Sequence, residues 1–106
     1  MKILISSLTL MLSMANVLAA NIVVVQKDKA FDKTEISVNA GDTVTFRNEE
    51  KDITHNVYSL GPKNDFELKV QEPGSSSDVT LNEAGDTDVE CAIHPGMKLK
   101  VHVKKK

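Results

Sequence analysis

The sequence predicts an all-β domain, and three observations carry that expectation. Short runs rich in β-branched residues alternate apolar and polar positions, the period of a half-buried strand. Turn-forming clusters of Gly, Pro, Asn, Asp and Ser interrupt these runs at close intervals. Beyond the N-terminal segment, no stretch holds ten or more residues at helical spacing. Many short strands separated by turns pack as a sandwich or a barrel.

The chain has 106 residues, which allows one domain. It opens with Met1-Lys2, an apolar run through Leu8-Thr9-Leu10-Met11-Leu12, and small residues at Val17-Leu18-Ala19-Ala20. One positive charge, an apolar stretch and small residues at its end describe a secretory signal peptide. A spanning helix needs about 20 mostly apolar residues. Here Ser6, Ser7, Thr9, Ser13 and Asn16 break the run, and no basic stop-transfer cluster follows. Val17 and Ala19 favour cleavage after Ala19, with Ala20 as the alternative. Residues 1–20 are therefore assigned to the leader and 21–106 to the domain.

Loss of Lys2 takes Lys+Arg from 13 to 12 against 15 Asp+Glu, a net charge of −3. No basic face argues for nucleic acid, and Lys104-Lys105-Lys106 reads as a solvated tail. A domain this small buries a modest core and commonly relies on a disulfide or a metal. The single cysteine excludes an intrachain disulfide, which leaves a metal.

Taken in order, Asn21-Ile22-Val23-Val24-Val25 reads as the first strand, and Lys27-Asp28-Lys29 leads into a polar turn. Glu35-Ile36-Ser37-Val38 alternates, and Asn39-Ala40-Gly41-Asp42 turns the chain. Thr43 to Arg47 alternates again, with Val44 and Phe46 on one face. Asn48-Glu49-Glu50-Lys51-Asp52 is a charged loop. Thr54 to Tyr58 is a short strand carrying His55, and Gly61 to Asp65 is a loop. Phe66-Glu67-Leu68-Lys69-Val70 is the next alternating strand. Pro73 to Ser77 turns, Asp78-Val79-Thr80-Leu81 extends, and Asn82 to Gly85 turns once more. From Asp86 to Cys91, Thr87, Val89 and Cys91 face inward. After Met97, Leu99, Val101 and Val103 face inward, while Lys98, Lys100, His102 and Lys104 face out.

The chemistry is concentrated in Cys91-Ala92-Ile93-His94-Pro95-Gly96-Met97. Within seven residues this stretch carries a thiol, an imidazole and a thioether, each a ligand for a soft or borderline metal. Cys91 ends a strand facing inward, and a turn at Pro95-Gly96 folds His94 and Met97 back towards its sulfur. Taken singly, each residue has a plainer reading. A lone Cys serves as a buried hydrophobe or an intermolecular disulfide partner, and a Met as core. Together they need only a second imidazole. Of the three histidines, His55 is the candidate, since alternation turns His102 to solvent. Two His, one Cys and a weak Met form the ligand set of a blue-copper site. Structural zinc sites usually take two or more thiolates. A Cys-His catalytic pair lacks its usual arrangement here, with no orienting carboxylate in evidence. No Ser/His/Asp constellation, phosphate loop or haem-attachment motif is present, so no enzyme is expected.

Gly41-Asp42-Thr43-Val44-Thr45-Phe46, His55-Asn56-Val57 and Cys91-x-x-His94-Pro95-Gly96-Met97 resemble the small bacterial blue-copper proteins, the cupredoxins of the plastocyanin and amicyanin kind. The resemblance spans nearly the whole chain after the leader. The two residues between His94 and Met97 are similar to the short loop of amicyanin; plastocyanin has a longer one. The resemblance implies a Greek-key β-sandwich with one type 1 copper ion at one end. It implies His55, Cys91 and His94 as near-trigonal ligands, Met97 as the long axial ligand, and a backbone N–H of Asn56 donating to the Cys91 sulfur. The chain departs from the family at Thr87 and Val89, where aromatic residues are frequent, and at Glu90, which sets a carboxylate beside the ligand cysteine.

The expected function is one-electron transfer in the periplasm, with copper alternating between Cu(I) and Cu(II) and the ring edge of His94 as electron port. The expected partners are transient redox proteins; the expected form is a monomer without membrane attachment once the leader is removed. The alternative is a periplasmic copper-binding protein for tolerance or delivery. A metal-free adhesion-like sandwich is the third reading.

Overall fold

The computed structural model describes residues 20–106, so the leader assigned to 1–20 lies, apart from Ala20, outside the described residues. Nine strands follow in order. They are β1 (Asn21–Lys27), β2 (Ala30–Phe31), β3 (Glu35–Asn39), β4 (Asp42–Asn48), β5 (Val57–Ser59), β6 (Phe66–Glu67), β7 (Ser76–Leu81), β8 (Gly85–Cys91) and β9 (Lys98–Lys104). They form one sheet in the order β2-β1-β4-β7 and a second in the order β3-β9-β8-β5-β6. The all-β expectation holds, and no helix among the described residues is long and apolar enough to cross a membrane.

Both sheets are mixed. β1 runs parallel to β4, with Asn21 opposite Thr43 and Gln26 opposite Asn48. β3 runs parallel to β9, with Glu35 opposite Lys100. The remaining pairings are antiparallel, including β8 with β9. The inner faces meet in one core that includes Val24, Val38, Val44, Phe46, Val57, Leu81, Val89, Leu99, Val101 and Val103. Phe46 occupies its middle, with ring centroids 6.2 Å from Phe31 and 5.9 Å from Phe66. In β8, Thr87, Val89 and Cys91 are buried; in β9, Leu99, Val101 and Val103 are buried, as alternation requires.

Three segments differ from the sequence expectation. The polar turn after β1 is a tight hairpin into β2, with Asp28 and Lys29 both at positive φ (55° and 57°), and it buries Phe31. The strand expected from Thr54 begins only at Val57; His55 precedes it and makes a single bridge to Gln71. The strand expected over Phe66–Val70 stops at Glu67. There the Leu68 N–H donates to the Val57 carbonyl at 2.9 Å, and Lys69 adopts a φ of 61°, which ends the pleat.

Candidate metal centre

The site lies where the ends of β5 and β8 meet. Cys91 is the last residue of β8 and pairs with Val57 of β5. The chain just before Val57 is thereby drawn alongside the cysteine. The Asn56 N–H donates to Cys91 Sγ at 3.4 Å, and the Ala92 N–H donates to the Asn56 carbonyl at 2.9 Å. These contacts lock two segments that are distant in sequence, and they include the sulfur contact expected from the resemblance. After Cys91 the loop turns at Pro95-Gly96, closed by the Met97 N–H donating to the His94 carbonyl at 3.0 Å. Proline suits the second position of such a turn because its φ is already fixed.

The result is a convergent donor set. His55 Nδ1 and His94 Nδ1 each lie 3.6 Å from Cys91 Sγ. One ligand atom from each of the three residues falls within 4.8 Å of the others. The two imidazole rings have centroids 4.8 Å apart. With metal–ligand bonds of about 2.0 Å to nitrogen and about 2.3 Å to sulfur, a three- or four-coordinate ion separates N from S by roughly 3.5 to 3.7 Å. The pocket between these side chains therefore has the dimensions a metal ion requires. His55 is 0% exposed, and Cys91 and Met97 are each 2% exposed, whereas His94 is half-buried beside exposed Ile93, Pro95 and Gly96. Met97 opens the return into β9 with its side chain in the core.

A buried polar network holds His55 from behind. Its Nε2 donates to Glu50 Oε2 at 2.9 Å, which leaves the Nδ1 lone pair directed at the donor cluster. The same carboxylate accepts the N–H groups of Asp28 (3.1 Å) and Lys29 (2.8 Å) from the β1–β2 turn. Burial pushes the Glu50 carboxyl up. The Lys29 N–H, the His55 hydrogen bond and the Asp28 N–H together outweigh it and hold the group below its usual range. Asn48, at the end of β4, donates to the carbonyls of Ile53 (2.9 Å) and Gln71 (3.0 Å) and accepts the Glu50 N–H at 2.9 Å. Gln71 donates to the Phe46 carbonyl at 3.2 Å and accepts from Gln26 at 3.0 Å. Burial, reinforced by the charges of His55 and Lys29, pushes the His94 imidazole below its ordinary value against the opposing pull of Glu50. A neutral imidazole at pH 7 is the form that binds metals.

The structure thus brings His55, Cys91 and His94 together and buries Met97 next to their loop in sequence. His102 stands apart on the outer face of the second sheet, between Asp86, at 2.8 Å from Nδ1, and Glu35, which bonds Nε2. Sequence reasoning missed Glu50, Asn48, Gln71 and Gln26. Glu50 stands five residues before His55 in a run of charges. Nothing local distinguishes it from Glu49 or Asp52; only the β1–β2 turn selects it.

The family of copper-binding proteins of the plastocyanin/azurin type matches residues 18–104. Solved structures similar to this chain include a Cu(I) form of an amicyanin variant, 31% identical, with a TM-score of 0.70 over 78% of this chain and 81% of that one. An oxidised form of a second amicyanin variant is 29% identical, with a TM-score of 0.71 over the same shares of 78% and 81%. A reduced Cu(I) form of a third variant at pH 4 is 32% identical, with a TM-score of 0.69 over 78% and 81%. No curated protein sequence matches the chain.

Proposed function

This chain belongs to the plastocyanin/azurin family of copper-binding proteins, and from that premise we propose that it is a periplasmic carrier of single electrons rather than an enzyme. Its cofactor is one type 1 copper ion. His55, Cys91 and His94 are the residues that would hold the ion, with Met97 as the weak axial ligand. When bound, copper supplies a one-electron couple between Cu(I) and Cu(II). Similar amicyanin structures exist in both reduced Cu(I) and oxidised forms, which supports that reading.

The observation that carries the proposal is the asymmetry of burial around the donor set. Three of the four side chains are sealed from solvent, with exposures of 0% for His55 and 2% for Cys91 and Met97. His94 alone reaches the surface. Copper delivery calls for a site that a second protein can open, whereas electron transfer calls for a closed site with one conducting edge. The protein's own residues supply the rigidity. Glu50 fixes the ring and tautomer of His55, and the Asn56 N–H supports the Cys91 sulfur. The turn closed by Met97 N–H sets the orientation of His94. Donors locked this way change little between charge states. The exposed rim of Ile93, Pro95 and Gly96 fits brief docking to a redox partner, since electron-transfer encounters bury little area. The carrier is a monomer, exported by its leader.

An optical spectrum of the copper-loaded protein tests this function. An intense charge-transfer band is expected with Cu(II), vanishing on reduction and absent in Cys91→Ser. A colourless loaded protein, or equal copper binding by Cys91→Ser, would sink it.

A further inference from the structure

The opposite end of β4 from Asn48 carries a second buried acid that the copper site does not use. Asp42 is 5% exposed. Its Oδ1 accepts the backbone N–H of Ala20 at 2.9 Å, and its Oδ2 accepts the N–H of Asn39 at 2.8 Å. The Ala20 carbonyl in turn accepts the N–H of Thr43 at 2.9 Å. Ala20 is thus tied to β4 through both its backbone groups, although it precedes β1 and is itself exposed. The Asp42 carboxyl is held below its usual range, chiefly by the Ala20 N–H, then by the Asn39 N–H, with Lys106 adding a smaller pull against the cost of burial.

Ala20 follows the Ala19 after which the leader is expected to be cut. In the uncut chain its nitrogen is an amide that offers Asp42 one neutral N–H. We propose that hydrolysis of the Ala19–Ala20 bond makes Ala20 the first residue and sets its new ammonium group against Asp42 as a maturation latch. The reaction balances with water and a peptidase that accepts small residues. The C–N bond breaks, the Ala19 acyl carbon takes the water oxygen and leaves as a carboxylate, and the amine on Ala20 takes up a proton. A charge-assisted N⁺–H···O⁻ bond is roughly twice as strong as its neutral counterpart. Asp42 is desolvated in both forms, so the gain entails no further burial of the acid. Cleavage after Ala20 would instead strip Asp42 Oδ1 and the Thr43 N–H of their partners. The geometry therefore selects between the two junctions that the sequence left open.

The latch acts on β1 and β4, the parallel pair whose far end sets Gln26 opposite Asn48 within the network behind His55. The inference rests on the export reading proposed above, and the experiment separates the two.

The full chain is expressed and its periplasmic form weighed intact. A mass beginning at Ala20 is expected, and one beginning at Asn21 overturns the latch. A chain found only uncut in the cytosol defeats the export reading but leaves the electrostatics testable. Residues 20–106 hold every strand and core contact described above, and a chain produced from Ala20 onward is titrated by NMR. The charged groups at this position are the Asp42 carboxylate, which accepts the Ala20 N–H, and Lys106 of the C-terminal tail, whose charge acts on Asp42. The α-amino pKa is expected above its ordinary range of about 7.7–8.0, and to return to it in Asp42→Asn but not in Lys106→Gln. An ordinary value in the unmodified chain overturns the proposal. Should Asp42→Asn not fold, Nα-acetylation of the unmodified chain serves instead. Because the folded pKa is raised, the stabilisation is complete below the ordinary amine range and is lost as pH rises through the folded value. The acetylated chain should melt lower than the free amine at pH 7 and equal to it once the amine is deprotonated. Equal melting at pH 7 overturns the latch.

Discussion

Glu50 and His55 act as one unit: the carboxylate accepts the Nε2–H hydrogen bond at 2.9 Å while Nδ1 on the other side of the ring lies 3.6 Å from the Cys91 sulfur. The β1–β2 turn fixes the carboxylate in turn through two backbone N–H groups. The ligand field at the copper therefore begins in a hairpin that contains no ligand.

Glu50→Ala should keep the fold and weaken copper binding. Loss of such an outer hydrogen-bond partner typically costs about 10- to 100-fold in metal affinity. Competition against a Cu(I) chelator measures it. An affinity equal to that of the unmodified protein would reduce Glu50 to a turn cap.

Asn48→Ala leaves the Ile53 carbonyl and the Glu50 N–H without their side-chain partner and takes one of two donors from the Gln71 carbonyl, which keeps the His55 N–H. Unsatisfied buried groups cost about 1–3 kcal/mol each. A stability loss of at least about 2 kcal/mol is expected from urea unfolding, with copper affinity falling in parallel because Glu50 loses its anchor. A stability loss without any change in affinity would separate the network from the site.

Met97→Gln should retain copper and lower the reduction potential, because a harder oxygen favours Cu(II). Met97→Leu removes the ligand and leaves an apolar neighbour, so the potential should rise. If Met97 only fills core, Leu is a volume-conserving exchange costing under about 1.5 kcal/mol and the potential stays put. Voltammetry on both variants decides, and no change in either removes Met97 from the site.

His102 should be silent in the spectrum and audible in the pH dependence of stability. His102→Ala is expected to leave the charge-transfer band intact, while His55→Ala abolishes it. The hydrogen bond to Glu35, then that to Asp86, raises the His102 pKa in the folded protein. A raised folded pKa gives a contribution that is complete below the unfolded value, about 6.5. That contribution is lost as pH rises through the folded value. Subtracting the urea-midpoint profile of copper-free His102→Gln from that of the unmodified protein should expose this loss above pH 6.5. A flat difference would mean the clamp between β3 and β8 carries no charge.

How much of this was legible in the sequence follows from the range of the interactions involved. The strict alternation of β8 and β9 placed Cys91 inside and His102 outside, because a strand's period is a local property. The loop from Cys91 to Met97 was readable for the same reason. The hairpin at Asp28-Lys29 was not, because its positive φ values fall on residues without the usual glycine signal. The strand expected at Thr54 also failed. His55 is extended, but its partner is the isolated Gln71 rather than a neighbouring strand. Glu50 and Asn48 owe part of their roles to contacts with segments more than twenty residues away, which no local pattern encodes.

Long-range pairings also govern when the site can exist during folding. Glu35 on β3 meets His102 on β9 across 67 residues of sequence, and His55 meets Cys91 across 36. Pairings of such range pay their loop-closure entropy before any contact rewards it, which places domains of this topology among the millisecond-to-second folders. The donor set is assembled only once the His55–Cys91 closure, itself 36 residues long, has been made. Copper therefore finds its full set of ligands in the finished protein and in no early intermediate. Its binding energy will appear mainly as slower unfolding, leaving the rate of folding nearly as the bare chain sets it.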